Sequence, residues 1–353
     1  MRFVEMTRRD IAKWTVATAA ASAFGTIAEA ANPVTTKDEF WYINQELRPF
    51  VRSVLPLIEK LPKLSLENLS AIRKGFFPPT PPTADVLWEK RMVQGSKGQP
   101  DVPVYVVNAK PGLARGAILH THGGGFVSGS VVGDLAWLQE VASALDCCIV
   151  SVDYRLAPEV TWRGSIEDNY AGLLWLHRNA SSLGVARERI AVMGESAGGG
   201  HAALLAITAR DRGEVPLAFQ CLTYPMLDDR TGSSRPVLQP IGEFGWKALD
   251  NVFGWRAFLG MKPGGRNVPA AAVPARLKDF ANLPPAWIGV GSIDLFVSED
   301  LEYARQLIEA GVAVETIVSP GAFHGFDRFV TDTNIAKNFN QARLKALKIA
   351  LNG

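Results

Sequence analysis

A serine flanked by glycines lies between an apolar run and a run of small residues, in the sequence IAVMGESAGGGH at positions 190–201. The pattern Gly-x-Ser-x-Gly is typical of a nucleophile elbow, in which a strand turns sharply into a helix and holds the serine in a strained conformation. A side chain at Gly194 or Gly198 would collide across such a turn. The helix N-terminus would face Ser196 and favour the negative charge of an oxyanion.

The motif is a weak indicator by itself, because a chain with 32 glycines in 353 residues contains it by chance in roughly one case in six. Its surroundings make it stronger. Residues 190–193 are typical of a strand and residues 202–209 of a helix, which is the context that an elbow requires. We therefore predict that Ser196 is a nucleophile.

The composition is that of a globular protein with one large core, or with a core and a lid, since 47% of the residues are hydrophobic and 20% are charged. The formal net charge is only +2, and no basic cluster stands out, so a nucleic-acid partner is not expected. Cys147, Cys148 and Cys221 are odd in number and lie in apolar runs, which predicts buried thiols rather than a disulfide framework.

Residues 1–31 differ in kind from the rest of the chain. The sequence TRRDIAK at 7–13 precedes a mildly apolar stretch and then Ala-Glu-Ala at 28–30, which is typical of a twin-arginine export signal. We expect cleavage near Ala30 and a periplasmic or extracellular location. The alternative is an amphipathic helix of a cap. No other stretch is apolar enough to span a bilayer, so the mature chain is expected to have no stable membrane insertion.

Residues 32–80 are predicted to form N-terminal cap helices. Apolar residues recur at helical spacing between positions 40 and 61, interrupted by Pro49 and Pro56, and this predicts one or two kinked helices. Four prolines within 76–82 mark a boundary, so the main domain is predicted to cover residues 81–353.

Beyond this boundary the sequence changes period: residues 87–93 and 102–108 are typical of strands joined by a Gly/Lys turn, and 116–121 of a third strand. Largely apolar runs then alternate with helix-length segments. This alternation predicts an α/β fold with a mostly parallel sheet of about eight strands flanked by helices. The predicted strands are 87–93, 102–108, 116–121, 147–152, 190–193, 217–223, 287–290 and 312–318.

The alternation lapses in an insertion at about 227–260. Its second half contains aromatic and aliphatic residues at roughly helical spacing, which predicts an inserted helix between positions 244 and 255. The aromatic content favours a lid over the substrate. A surface helix packed on the core is the alternative.

A serine hydroxyl needs a base to take its proton and a carboxylate to orient that base. His324, in PGAFHGF after the last predicted strand, is the one histidine that follows Ser196 at a distance. His201 is a competitor, but it lies five residues along the same helix and could not easily face the hydroxyl.

Asp294 follows a predicted strand in the sequence GSIDLF, at a sheet edge where loops supply functional groups. It is therefore the preferred carboxylate. Glu299, Asp300 and Asp327 are the alternatives, although the first two are expected to begin the next helix.

The sequence HTHGGGF at 120–126 ends a predicted strand in three glycines, which would let bare N–H groups converge on one oxygen. Strand alternation places His120 and His122 on one face, where a metal site has to be considered. No clear third ligand lies near them, and we predict neither a metal nor an organic cofactor.

Taken together, HGGGF, DYRLAPE at 153–159, GESAGG around Ser196, Tyr-Pro at 224–225, Asp294 and the HGF at 324–326 resemble the hormone-sensitive-lipase-like branch of the α/β-hydrolases. The resemblance covers about residues 85–330. It implies the α/β-hydrolase fold, with a helical cap formed by the N-terminal helices and the insertion. For the site, the resemblance implies the triad Ser196, Asp294 and His324 and an oxyanion hole formed by the amides of Gly123, Gly124 and Ala197. It also implies that Asp153 with Arg155 braces the neighbouring loop.

The activity that the resemblance implies is hydrolysis of carboxylic esters, with short-chain acyl or aryl esters as small-molecule substrates and an acyl-enzyme intermediate. An amidase or peptidase could use the same groups, and a non-catalytic small-molecule receptor on the same fold is a further alternative that His324 disfavours. Glu195 and Gly200 depart from the residues common in this branch. The sequence does not reveal the oligomeric state, and a homodimer stays open.

Overall fold

The computed structural model describes residues 38–58, 60–75, 81–83 and 85–352. The export signal predicted for residues 1–31 lies outside the described residues, and so does most of the proline-rich boundary, at 76–80. In the part of the chain that is described, no helix is long and apolar enough to cross a membrane.

Eight strands form one sheet in the order β1-β2-β4-β3-β5-β6-β7-β8. The pairs β1/β2 and β2/β4 are antiparallel and the other five pairs are parallel, so the predicted mostly parallel sheet of eight strands is confirmed. The strands are β1 Trp88–Val93, β2 Val102–Val107, β3 Arg115–Thr121, β4 Cys148–Val152, β5 Val185–Glu195, β6 Phe219–Thr223, β7 Ala286–Gly291 and β8 Val314–Ser319.

Helices occupy the connections between the strands. They are α1 Arg48–Ile58, α2 Leu69–Gly75, α3 Val131–Leu145, α4 Trp162–Arg178, α5 Ala180–Leu183, α6 Ala197–Arg212, α7 Ala248–Leu259, α8 Val297–Glu309, α9 Phe326–Phe329 and α10 Asn334–Asn352. Two 3₁₀ turns, Ala270–Ala272 and Pro274–Arg276, precede β7.

The sheet is covered on both faces, which explains why its central strands are apolar at nearly every position. Helices α4, α6 and α8 pack on one face, and α3, α10 and the segment 40–51 pack on the other. Every residue of β4, β6 and β7 is buried. Because β3 and β5 to β8 run parallel, the loops at their carboxyl ends meet at one edge of the sheet.

The N-terminal segment differs from its predicted helical course. Residues 40–47 form turns closed by short-range bonds such as Trp41 N–H to the Asp38 carbonyl, and the helix begins only at Arg48. Phe40, Ile43 and Leu47 are nevertheless buried, so the apolar spacing reports burial against the sheet rather than a helix. Pro56 lies inside α1, as the sequence indicates.

Candidate active site

Ser196 stands at the corner between β5 and α6, with φ 59° and ψ −123°. A non-glycine residue with positive φ is strained, as an elbow requires. A Cβ on Gly194 would collide with the Gly198 carbonyl, and one on Gly198 would collide with the Thr121 carbonyl. The corner is held by Ser196 N–H, which donates to the Thr223 carbonyl at 2.9 Å. The two glycines are thus a steric requirement of the turn.

His324 lies in the loop after β8 and reaches Ser196 across 128 residues of sequence. Its Nε2 is 2.9 Å from Ser196 Oγ, and its Nδ1 is 2.8 Å from Asp294 Oδ2. The ring centroids of Tyr224 and Phe296 lie 4.6 Å and 5.2 Å from that of the imidazole, both edge-to-face. These two aromatic rings restrict the imidazole to the orientation that serves both hydrogen bonds.

Asp294 follows β7 and is fully buried. Its Oδ1 accepts a hydrogen bond from Phe296 N–H at 3.0 Å, which leaves Oδ2 directed at His324. A carboxylate facing Nδ1 favours the tautomer that carries its proton there, so that Nε2 is free to accept the hydroxyl proton of Ser196.

The other candidate carboxylates make different contacts. Glu299 accepts hydrogen bonds from the N–H groups of Leu227 and Asp228 at 2.7 Å and 3.0 Å, and thereby holds the start of the insertion. Asp327 accepts from the Tyr224 hydroxyl at 2.8 Å and pairs with Arg343. Both carboxylates thus stabilise segments next to the site. Within the described chain, Asp294 alone of the four candidates is hydrogen bonded to His324.

Asp300, the fourth candidate, is buried on α8, and neither of its carboxylate oxygens has a hydrogen-bond partner within the described part of the chain. Burial raises the pKa of Asp300 well above its usual value, and the charges of Glu299 and Asp294 raise it further. The folded protein therefore holds Asp300 in its neutral form at a pH where the unfolded chain ionises it.

We expect Asp300→Asn to stabilise the protein at neutral and alkaline pH and to leave its stability almost unchanged in acid. The stability that a raised carboxyl pKa contributes is complete below the unfolded-state pKa and is lost as pH rises toward the folded-state pKa, by about 1.4 kcal/mol per pH unit. Urea unfolding between about pH 4 and pH 8 measures this difference. The exposed Asp332→Asn is the control, and an equal gain at every pH would contradict a protonated Asp300.

The remaining histidines of the site region do not contact Ser196. His201 is buried between the rings of Phe126, Phe258 and Tyr154, and burial lowers its pKa to about 3. His122 stacks on Tyr154 at 4.2 Å, and its Nδ1 lies 2.8 Å from the Gly123 carbonyl. Nowhere in the described ranges do three or more His, Cys, Asp or Glu side chains form a group that could hold a metal ion.

The glycine loop after β3 lies directly against the elbow. A Cβ on Gly123 would be 3.0 Å from the Glu195 carbonyl oxygen and 3.7 Å from Ser196 Cβ. Gly124 has φ 121°, and its carbonyl accepts the N–H groups of Val127 and Ser128, which closes the loop. Ala197 is the first residue of α6 and is fully buried. Of the three residues predicted to form an oxyanion hole, Gly123 and Ala197 therefore lie directly beside Ser196, and Gly124 follows Gly123 in the same loop.

The insertion packs on this glycine loop. A Cβ on Gly125 would collide with the Trp246 indole, and one on Gly254 of α7 would collide with the Gly125 carbonyl. Phe258 of α7 stacks on Phe126 at 4.0 Å. Helix α7 is thus in direct contact with the loop beside the nucleophile. It begins at Ala248 rather than at position 244, because Gly242 and Gly245 have positive φ.

The N-terminal segment reaches the histidine loop from the other side. Asn44 N–H donates to the Gly321 carbonyl at 2.8 Å, and Phe50 stacks on Phe323 at 6.1 Å. Phe244 of the insertion packs edge-to-face on the same Phe323 at 4.6 Å. Both segments predicted to form a cap therefore adjoin His324.

Two groups of contacts were not foreseen from the sequence. Arg155 pairs with Asp168 of α4, from its Nη2 to Oδ1 at 2.7 Å, so the brace of the DYRLAPE loop comes from a helix. Glu195 and His120 form a buried pair below the elbow. In the sequence, strand alternation around His120 indicates only which face of β3 carries this side chain. The register of β3 beside β5 shows which residues His120 contacts.

A mostly parallel sheet with a strained serine between strand and helix, hydrogen bonded through a histidine to a carboxylate, is the arrangement of the α/β-hydrolases. The sequence profile of a family described as having the α/β-hydrolase fold matches residues 118–328. The chain belongs to this family, in its hormone-sensitive-lipase-like branch.

Named relatives extend over most of the chain. The Esterase LipI of Mycobacterium tuberculosis is 31% identical over 85% of this chain and 95% of its own length. The Carboxylesterase NlhH of the same species is 34% identical over 74% of this chain and 82% of its own. The solved structure of a bacterial heroin esterase superposes with a TM-score of 0.76, at 32% identity over 89% of this chain and 99% of that one.

Proposed function

We propose that this protein is a serine hydrolase that cleaves carboxylic esters through an acyl-enzyme intermediate. The observation that supports it most directly is the continuous hydrogen-bonded series from Ser196 through His324 to the buried Asp294. The similarity to proteins named esterase and carboxylesterase supports the same reaction. None of the steps below requires a metal or an organic cofactor.

In the proposed reaction, His324 Nε2 takes the proton of Ser196 Oγ as the oxygen attacks the ester carbonyl carbon. The carbonyl electron pair moves to its oxygen, and the amides of Gly123, Gly124 and Ala197 donate to the resulting oxyanion. The tetrahedral species collapses, the alcohol leaves with the proton from His324, and the acyl group stays on Ser196. Water activated by His324 then releases the acid and restores the hydroxyl.

Parallel turnover of an ester and its matched amide tests this function. An esterase hydrolyses phenyl acetate far faster than acetanilide, whereas an amidase or peptidase accepts the amide at a comparable rate. A small-molecule receptor on this fold would turn over neither. Measuring kcat/KM for both compounds therefore separates the three alternatives.

We also propose that the preferred acyl group is short. The Trp246 indole lies on Gly125, beside the nucleophile, and Phe244 and Phe50 pack around the histidine loop at Phe323. We expect these large aromatic rings, which pack on the glycine loop and on the histidine loop, to limit the length of the acyl chain that fits beside Ser196. Each methylene that is accommodated gains about 0.8 kcal/mol of transfer energy until the chain meets these rings.

A series of p-nitrophenyl esters from acetate to palmitate measures this limit. We expect kcat/KM to rise at first and to reach its maximum at roughly two to six acyl carbons, with poor activity on long-chain emulsified lipids. A steady rise to palmitate, or activation at a lipid interface, would contradict the proposed limit.

We further propose that the chain is exported by a twin-arginine pathway to the periplasm or the cell exterior. The proposal is supported by the sequence of residues 1–31, with Arg8, Arg9 and the Ala-Glu-Ala site. Replacing Arg8 and Arg9 by Lys is expected to retain the precursor in the cytoplasm. The mature chain is expected to begin near Ala31, which N-terminal sequencing of the exported protein measures. Exported, active protein that begins at Met1 would refute cleavage at this site.

A further inference from the structure

Glu195, the residue before the nucleophile, forms a buried pair with His120 that the proposed mechanism does not use. The Glu195 side chain is 8% exposed and that of His120 is not exposed. Glu195 Oε2 is 3.1 Å from His120 Nε2, and His120 Nδ1 is 2.8 Å from Ser151 Oγ. Glu195 Oε1 is buried and has no hydrogen-bond partner among the described residues. His120 is thus the main polar contact of this carboxylate.

The pair connects the two strands that carry the chemistry. His120 lies on β3, three residues before Gly123 of the glycine loop, and Glu195 is the last residue of β5. The register places His120 beside Met193 of β5 and Ser151 of β4. The Glu195 carbonyl oxygen in turn faces Gly123. Any change in the charge or position of Glu195 therefore acts next to both the nucleophile and the glycine loop.

The contacts of Glu195 indicate that His120 stabilises the ionised form of this buried carboxylate. Burial by itself would raise the pKa of Glu195, but the charge and hydrogen bond of His120, with Arg343 and Arg328 further away, outweigh it and lower the pKa. A proton on His120 Nε2 lets the ring donate to the Glu195 carboxylate, and the Ser151 hydroxyl can either donate to Nδ1 or accept from it. The rings of His120 and Trp137 pack edge-to-face with their centroids 5.8 Å apart, and the Arg328 guanidinium lies 4.1 Å from the centroid of that indole.

A carboxylate in this position without its partner would impede the reaction. Negative charge develops on the substrate carbonyl oxygen when Ser196 attacks, and two like charges repel strongly where little water separates them. A hydrogen bond from His120 Nε2–H instead holds the carboxylate at His120 and stabilises its charge.

We propose that His120 is a positioning residue whose Nε2–H binds and orients the buried Glu195 carboxylate, so that this negative charge is held by a donor while the oxyanion forms nearby. The inference rests on the proposed ester hydrolysis. It makes the two members of the pair unequal. Removing His120 leaves a buried anion without its hydrogen-bond donor, whereas Glu195→Gln removes the negative charge itself.

Three variants test whether the two residues contribute unequally to kcat: His120→Gln, Glu195→Gln and the double variant. The kinetics are measured with p-nitrophenyl acetate at mildly alkaline pH, because this pH keeps an unpaired carboxylate ionised. We expect His120→Gln to lower kcat roughly 100-fold, in the range of losing one oxyanion donor, with KM within about twofold of the unmodified protein. Glu195→Gln is expected to lower kcat less than about fivefold, and the double variant to recover most of the loss.

Arg276→Gln is a matched control, because it leaves Asp229, which is fully buried in the insertion, without its 2.6 Å ion-pair partner. We expect it to lower Tm while kcat stays unchanged. Thermal unfolding of all the variants separates loss of fold from loss of rate. If His120→Gln does not fold, the double variant decides, since it lacks the unpaired anion: a folded and active double variant supports the inference, and an inactive one overturns it.

Equal losses of kcat in both single variants, with no recovery in the double variant, would show that the contact only holds β3 to β5 and would overturn the inference. So would an unchanged kcat in His120→Gln. If the unmodified protein hydrolyses no ester, the proposed function fails instead, and the two failures are thereby distinguished.

Discussion

Ser196→Ala and His324→Ala are each expected to lower kcat on the order of 10⁴- to 10⁶-fold, and the double variant is expected to be little slower than either. The reason is that Ser196 Oγ and His324 Nε2, 2.9 Å apart, act as one unit: without the base the hydroxyl keeps its proton, and without the hydroxyl the base has nothing to deprotonate. Single-turnover kinetics with a p-nitrophenyl ester measure the loss.

Matched controls for this prediction lie elsewhere in the chain. Ser165→Ala changes a buried serine of α4, and His177→Ala changes a half-buried histidine near the end of the same helix. Both are expected to keep kcat within about twofold, because neither side chain reaches the site. Losses that add up in the Ser196/His324 double variant would mean that the two groups act independently, contrary to the geometry.

Asp294→Asn is expected to keep the fold and to lower kcat about 10⁴-fold. An amide at this position can offer its NH₂ group to His324 Nδ1, which stabilises the tautomer with the proton on Nε2 and removes the acceptor that Ser196 needs. The hydrogen bond from Phe296 N–H to Oδ1 fixes the side chain, so the amide oxygen is expected to stay on that donor. Near-UV circular dichroism checks the fold, and kcat measures the effect.

The same measurement on Glu299→Gln and Asp327→Asn distinguishes the acid from its neighbours. Glu299 holds the backbone of Leu227 and Asp228, and Asp327 pairs with Tyr224 and Arg343. Both substitutions are therefore expected to lower Tm, while most of kcat is retained in the folded variants. If either of them abolishes turnover while Asp294→Asn remains active, Asp294 is not the orienting carboxylate.

Local sequence determined the parts of this protein that depend on local geometry. Only glycine fits at positions 194 and 198 of the turn, so the motif around Ser196 specifies an elbow wherever a strand precedes it and a helix follows. The apolar runs likewise predicted β4, β6 and β7, because a strand covered on both faces needs apolar residues at nearly every position. His324 was singled out by its place after the last strand.

The tertiary structure decided what depends on contacts between distant segments. Four carboxylates could have faced His324 on sequence grounds, and the choice of Asp294 follows from how the loop after β7 meets the loop after β8. Likewise, His120 was one of two strand histidines until the register of β3 beside β5 placed it against Glu195. Side chains 30 to 128 residues apart meet only through the packing of whole elements, and no local pattern encodes that geometry.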